Sequence, residues 1–341
     1  MAPKIMLVGV SVCDIILVVP EISKPGDIVY LDRGITISLG GHPCNISVDL
    51  VKLGYSSSLI YVVSAIGNDF CGKFIEETLS SYSLQLNLVK IPGVGSNKNV
   101  IVVVKGEDRR FHVEVGASMH MQSKDVIKLV EEVKPGLIHL AVGLLGDVDT
   151  NLQNVLAASH NVGAVTFVDV GAPRPYGKAD WRFLIESLKY ADIFHANRYE
   201  LQNVFGVEGI FDGIKKALAT GAKIVVVTDG ERGAYIAKDN YVIYQKAFKV
   251  DVVDPTGAGD AFQAGLIYKL VELAGDKFSR SYIEGIGYDE LAEILLFSQA
   301  VGAVCVTQPG TTTAVSRENV ENLLKKQRDE VMKSIKRMRI L

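Results

Sequence analysis

The chain has 341 residues, 48% of them hydrophobic and 22% charged, and a formal net charge of −3. That length holds one large α/β domain or two ordinary ones with a full core, and the charge gives no electrostatic reason to expect a nucleic-acid partner. Four cysteines (Cys13, Cys44, Cys71, Cys305) are too scattered for a zinc site or disulfide framework, and no stretch approaches the ~20 apolar residues of a membrane span, so the expectation is a reduced, cytoplasmic protein.

The opening run KIMLVGV reads as a buried first strand rather than a signal peptide. Asp14 follows it among Ile15, Ile16 and Leu17, and an ionised carboxylate in such company suits the two hydroxyls of a sugar diol. Residues 28–38 alternate as a half-exposed strand whose expected partners are 99–105 and 109–115, with Gly106-Glu107-Asp108 as the turn between the latter two. Together they would form a small sheet apart from the main one, a lid.

Gly40-Gly41-His42-Pro43-Cys44-Asn45 leads into a helix expected over 46–54. The glycines allow close backbone approach, and Asn45 either caps the helix or binds hydroxyls. Gly67 to Phe74 nearly spells a phosphate-binding P-loop, but Phe74 stands where a magnesium-binding hydroxyl is required. Strands are expected at 137–142, 164–170, 192–196 and 223–227 with helices between them, an alternation that builds right-handed βαβ units and a doubly wound, mainly parallel sheet. Asn197-Arg198-Tyr199-Glu200 reads equally as a capping box, and Thr228-Asp229-Gly230-Glu231-Arg232-Gly233 as a glycine-rich turn before a hairpin.

The most informative stretch is 249–270, KVDVVDPTGAGDAFQAGLIYKL. It reads as a strand end (Val250, Val252, Val253), a turn at Asp254-Pro255, a small-residue loop, and a helix with Phe262, Leu266, Leu270 and Leu273 on one face. The amides of Gly257, Ala258 and Gly259 at a helix N-terminus form a cradle for an anion. Asp260 beside that cradle is a candidate general base for phosphoryl transfer to an alcohol. A further apolar helix is expected over 291–306, and a last one from 316 to about 339.

Asp-Pro-Thr-Gly-Ala-Gly-Asp-Ala-Phe closely resembles the C-terminal signature of the ribokinase-like (PfkB) carbohydrate and nucleoside kinases, and GGHPCNISVDLVKLG resembles their N-terminal one. The likeness runs from Asp14 to about Gly310 with the motifs in the family's order. It implies a single α/β domain over 1–341, a ribokinase-like sandwich with lid strands inserted at about 14–38 and 97–115. It further implies transfer of the γ-phosphoryl of ATP to a primary hydroxyl of a fructose- or ribose-like sugar, with Asp260 as base and residues 257–259 as anion hole.

By the same resemblance Asp14, Gly40, Gly41 and Asn45 would contact the sugar, and Asn197, Thr228, Gly230, Gly233 and Gln299 the nucleotide. Glu200 would act on magnesium through water, and Asp254 would stand beside potassium. The lid would join two copies in a homodimer. The alternatives are a nucleoside kinase of the same fold, for which Phe111 and Met119 would widen the pocket's apolar wall, and a non-catalytic sugar- or nucleotide-binding regulator. Gly171 stands where sugar kinases commonly show Asn, within Asp169-Val170-Gly171-Ala172-Pro173-Arg174.

Overall fold

A computed structural model describes residues 2–31, 34–104, 110–171 and 180–340. The strands are β1 Ile5–Val8, β2 Val12–Val19, β3 Ile35–Gly40, β4 Ile60–Gly67, β5 Gln85–Ile91, β6 Lys98–Val104, β7 Arg110–Glu114, β8 Leu137–Val142, β9 Val165–Val170, β10 Ile193–Asn197, β11 Ile224–Thr228, β12 Ala234–Lys238, β13 Tyr241–Gln245 and β14 Lys336–Arg339. Ten of them form one sheet in the order β14-β13-β12-β11-β10-β9-β8-β1-β4-β5, and β3-β2-β6-β7 form a second. From β5 through β11 every pairing is parallel, and β12 to β14 add an antiparallel edge. The expected doubly wound, mainly parallel sheet with a small second sheet is thus what the chain forms. The central strands are buried along their whole length, as a parallel sheet covered on both faces demands.

The core lies in two layers, one on each face of the large sheet. Phe167 projects into the layer shared with the helices His42–Lys52, Ala258–Ala274 and Tyr288–Cys305, and Phe194 into the opposite one. β1 pairs with β4 on one side and β8 on the other, so the winding direction reverses there. A crevice opens at the carboxyl ends of strands at such a reversal. The small sheet stands over that crevice.

Several elements differ from the sequence reading. The strand expected over 28–38 is confined to 35–40, and Asp14 lies within β2. Residues 250–253 form no strand; Val252 and Val253 are 64% and 58% exposed, and the segment is held instead by the Val253 amide donating to Val306 O at 2.8 Å. The last helix stops at Met332 and the chain returns as β14 along the exposed edge of β13. Sheet hydrogen bonds there replace helical ones, and the Arg337 guanidinium stacks 3.7 Å from the Tyr288 ring centroid. The helix after the double glycine starts at His42 with Gly41 as its N-cap, so Asn45 is not a cap. The turn at 106–108, Arg109 and residues 172–174 lie outside the described residues. Among the described residues no helix is long and apolar enough to cross a membrane.

Candidate active site

The site is assembled where the 42–52 helix, the 258–274 helix and the small sheet converge. Gly257 adopts φ 82°, and a Cβ on it would lie 2.5 Å from Thr311 O, so this turn into the helix admits only glycine. The loop is braced by Asp254, whose carboxylate accepts the Thr256 amide (3.0 Å), the Thr256 hydroxyl (2.6 Å) and the Gly310 amide (3.2 Å). Asp260 sits in the first turn of the helix that follows, where the macrodipole favours a negative charge.

Asp260 is not alone. His42 Nδ1 lies 2.7 Å from its Oδ1, and Asn45 donates through Nδ2 to its Oδ2 at 2.7 Å. Asn45 also accepts the Thr311 hydroxyl at 2.9 Å, tying the first helix to the loop behind Gly257. Gly41 (φ 93°) makes this convergence possible, because a Cβ there would lie 2.0 Å from Val10 O. A Cβ on Gly40 would meet Asp14 Oδ2 at 2.1 Å, so any larger residue there would displace the Asp14 carboxylate. Asp14 accepts from Asn99 Nδ2 at 2.7 Å. Burial pushes its carboxyl up to about 6, the Asp260 charge adds to that, and the Asn99 bond opposes it. Asp14, Gly41, His42, Asn45, Gly257 and Asp260 line one cavity of about 260 Å³. Its other wall is apolar and includes Ile101, Phe111 and Val113 from the small sheet.

Beneath the cavity is a buried network that sequence reasoning missed. Asp169, at the end of β9, accepts from His195 Nδ1 (2.6 Å) and from Gln263 Nε2 (3.0 Å), and His42 Nδ1 is 3.6 Å from its Oδ2. Gln263 Oε1 can only accept, so His139 Nε2 donates to it at 2.6 Å. That leaves His139 Nδ1 buried without a partner, the signature of a neutral ring, and burial lowers its pKa to about 4. Burial works to raise the Asp169 carboxyl, but the His195 and His42 rings hold it well below the usual carboxylate range. A buried carboxylate ringed by three imidazoles has one local signal, the Asp at the end of an apolar strand; its partners are distant in the chain.

The residues expected to hold a nucleotide lie along the ends of the next strands. Asn197 and Glu200 form the capping box, with Asn197 Oδ1 accepting the Glu200 amide (2.9 Å) and Glu200 Oε2 the Asn197 amide (2.7 Å). Burial, helped by the Asp169 charge, lifts the Glu200 carboxyl to about 7. Thr228 Oγ1 is 3.5 Å from His195 Nε2, which links this end to the Asp169 network. Gly230 and Gly233 both adopt positive φ, in a turn clamped by Arg232 on Asp229. Gln299 is buried and donates to Gln245 Oε1 at 3.1 Å, so it belongs to the core behind the turn. The near P-loop at 67–74 is a structural cap: Asp69 accepts the amides of Gly72 (2.8 Å) and Ser96 (2.9 Å), leaving no phosphate cradle.

Among the described residues no group of three or more His, Cys, Asp or Glu side chains could hold a metal ion. Glu200 Oε2 is taken by the capping box, so Oε1 is the oxygen with which Glu200 would hold the water shell of a bound cation.

The model of the pfkB family carbohydrate kinases matches residues 2–318. A fructokinase of Klebsiella pneumoniae is 27% identical over 285 residues, covering 81% of this chain and 88% of that protein. A nucleoside kinase of Methanothermobacter thermautotrophicus is 26% identical over 315 residues, covering 91% and 92%. The structure of Arabidopsis thaliana ribokinase complexed with ribose and ATP has a TM-score of 0.74 to this chain at 25% identity, covering 95% of this chain and 99% of that one. With the fold, the ordered motifs and the family match in agreement, the chain belongs to the pfkB family of carbohydrate kinases and is a phosphotransferase with an alcohol group as acceptor.

Proposed function

We propose that this chain transfers the γ-phosphoryl group of ATP to a primary hydroxyl of a small neutral polyol, a ribose- or fructose-like sugar, with Asp260 as general base. The observation that carries this reading is that Asp260 opens into the same cavity as Asp14 and abuts the Gly257 turn. A sugar anchored by a diol on Asp14 places a remaining hydroxyl between Asp260 and an anion held by the 257–259 backbone. Asp260 accepts the hydroxyl proton, the amides stabilise charge on the transferring group, and ADP leaves with the bond's electron pair. Bound magnesium would neutralise the phosphate oxygens, with Glu200 orienting its water shell. Asp254, by fixing the loop, is the residue through which potassium would act, and equal activity in sodium-only buffer would remove that role.

Among the described residues the cavity is lined by no Lys or Arg, which disfavours an acceptor that already carries a phosphate. Its apolar wall of Ile101, Phe111 and Val113 supports a second reading, a nucleoside whose base lies against the lid. An ADP-release assay with Mg-ATP against sugars, sugar phosphates, inositol and nucleosides decides between them. Asp260→Asn should abolish turnover while leaving acceptor binding; full activity in that variant would sink the mechanism.

We further propose that the chain works as a homodimer joined through the small sheet. Cross-strand register puts Ile15, Ile37 and Val100 in one row and Leu17, Ile35 and Val102 in the next, on the face opposite Asp14 and Asn99. Ile35, Ile37 and Val100 are 67%, 41% and 39% exposed there, an apolar strip that a second copy would cover.

A further inference from the structure

His42 faces two oxygens. Its Nε2 is 3.1 Å from Gly171 O and its Nδ1 is 2.7 Å from Asp260 Oδ1, with Asp169 Oδ2 at 3.6 Å. A carbonyl and a carboxylate can only accept, whereas a neutral imidazole carries a single N–H. One proton more than neutral histidine and ionised aspartate supply must therefore sit in the His42–Asp260 pair. The surrounding charge decides which partner holds it. Asp260 Oδ2 already accepts from Asn45, and Asp169 presents a second negative charge to the same ring nitrogen.

We propose that His42 is the positioning residue of the base, an imidazolium that pins Asp260 Oδ1 and leaves its carboxylate aimed at the acceptor hydroxyl. The inference rests on the phosphoryl-transfer reading above. The hydroxyl proton goes to Asp260 and His42 keeps its own. Burial opposes the charge on His42, but the Asp260 carboxylate, its hydrogen bond and Asp169 outweigh it and raise the ring to about 10. The other titratable groups whose charges bear on the pair are His139 of β8 and Glu200 beyond Asp169, Asp14 of β2 and Asp49 of the 42–52 helix on the Asp260 side, and the thiols of Cys44 and Cys305, which burial keeps protonated. His139 is held neutral, and the three carboxyls when ionised add negative potential that favours the imidazolium.

The test combines kinetics with imidazole nitrogen NMR of the full chain. At saturating acceptor, which removes any effect of Asp14 on affinity, His42→Ala should lower kcat by about tenfold to a hundredfold while KM changes less than about threefold, as loss of orientation predicts. His42→Gln, which keeps an N–H donor but no charge, should recover part of that turnover, and added imidazole should restore it in His42→Ala. In the wild type both ring nitrogens of His42 should be protonated at pH 7.5, and Asp260→Asn should release that state. A neutral His42 ring, or wild-type turnover in His42→Ala, would overturn the proposal alone. Full turnover in Asp260→Asn would instead remove Asp260 as base, and the proposal with it.

Discussion

Asn45 and Asp260 are 215 residues apart in the chain, yet Asn45 Nδ2 donates to Asp260 Oδ2 at 2.7 Å while its Oδ1 takes the Thr311 hydroxyl. One amide thus fixes the base and the loop behind the anion cradle together. Its exposure is 3%, so water cannot substitute freely for it. Asn45→Ala removes a hydrogen bond to a charged group, a loss of about 1.5–3 kcal/mol. Turnover should fall roughly tenfold to a hundredfold. Asn45→Asp should be worse, because it sets a second carboxylate against Asp260 and reverses the donor. Steady-state kinetics on the three proteins, with circular dichroism to confirm folding, check the order; Asn45→Asp at least as active as Asn45→Ala would contradict it.

Asp14 predicts a pH dependence of acceptor affinity. Burial and the nearby Asp260 raise its carboxyl to about 6, so it is ionised above that pH and protonated below it. Only the ionised form accepts two hydroxyls of a diol. Acceptor KM should therefore rise as pH falls through about 6. In Asp14→Asn the KM should be higher at every pH and flat across that range. A KM that still climbs on acidification in Asp14→Asn would assign the titration to another group.

Much of this site was legible in the chain because its local motifs are short and rule-bound. Pro255 to Asp260 announces a turn and a helix start, and both occur as read. Asp14 stood out as a carboxylate in an apolar run, and it lines the cavity. What escaped is what depends on distant partners. His42 gave no local sign that it would meet Asp260, and Asp169 none that it would collect His195 and Gln263. β14 was hidden for a related reason: Lys336 to Arg339 continues a charged helical pattern, and only the open edge of β13 makes it a strand. The run at 250–253 misled in the opposite direction, since its valines have strand propensity but no strand beside them.

Asp49 predicts a stability change rather than an activity change. It is fully buried in the 42–52 helix, and neither carboxylate oxygen has a hydrogen-bond partner. Burial above all, and then the Asp260 charge, raises its pKa well above 3.8, with Lys52 opposing. A folded-state pKa above the unfolded value is destabilising as pH rises. Below pH 3.8 both states hold the proton; above it the unfolded chain ionises and the folded one does not, costing up to about 1.4 kcal/mol per pH unit until the folded group titrates. Asp49→Asn should therefore unfold at a higher temperature than the wild type at pH 8, with the gain shrinking towards pH 4. Thermal unfolding across that range checks the slope, and a gain that does not depend on pH would show that Asp49 is paired in solution.

The outer face of the small sheet makes the last prediction. β2 carries Asp14 towards the cavity and Ile15 and Leu17 away from it, because side chains alternate along a strand. Whatever covers Ile15, Leu17, Ile35 and Ile37 therefore also steadies the wall that holds the acceptor. A strip of this kind left in water costs about 25 cal/mol for each Å² of apolar surface that a partner would bury. Ile37→Lys places a charge at the β3 end of the outward row, opposite Ile15, which in turn is opposite Val100. Light scattering at micromolar concentration should show the wild type at twice the chain mass of 37.0 kDa and Ile37→Lys at the chain mass itself. Acceptor KM should rise in the variant with ATP KM unchanged, since the lid loses its support while the nucleotide end keeps its own. A wild type that scatters as a monomer removes the dimer, and a dimer that survives Ile37→Lys places the interface elsewhere.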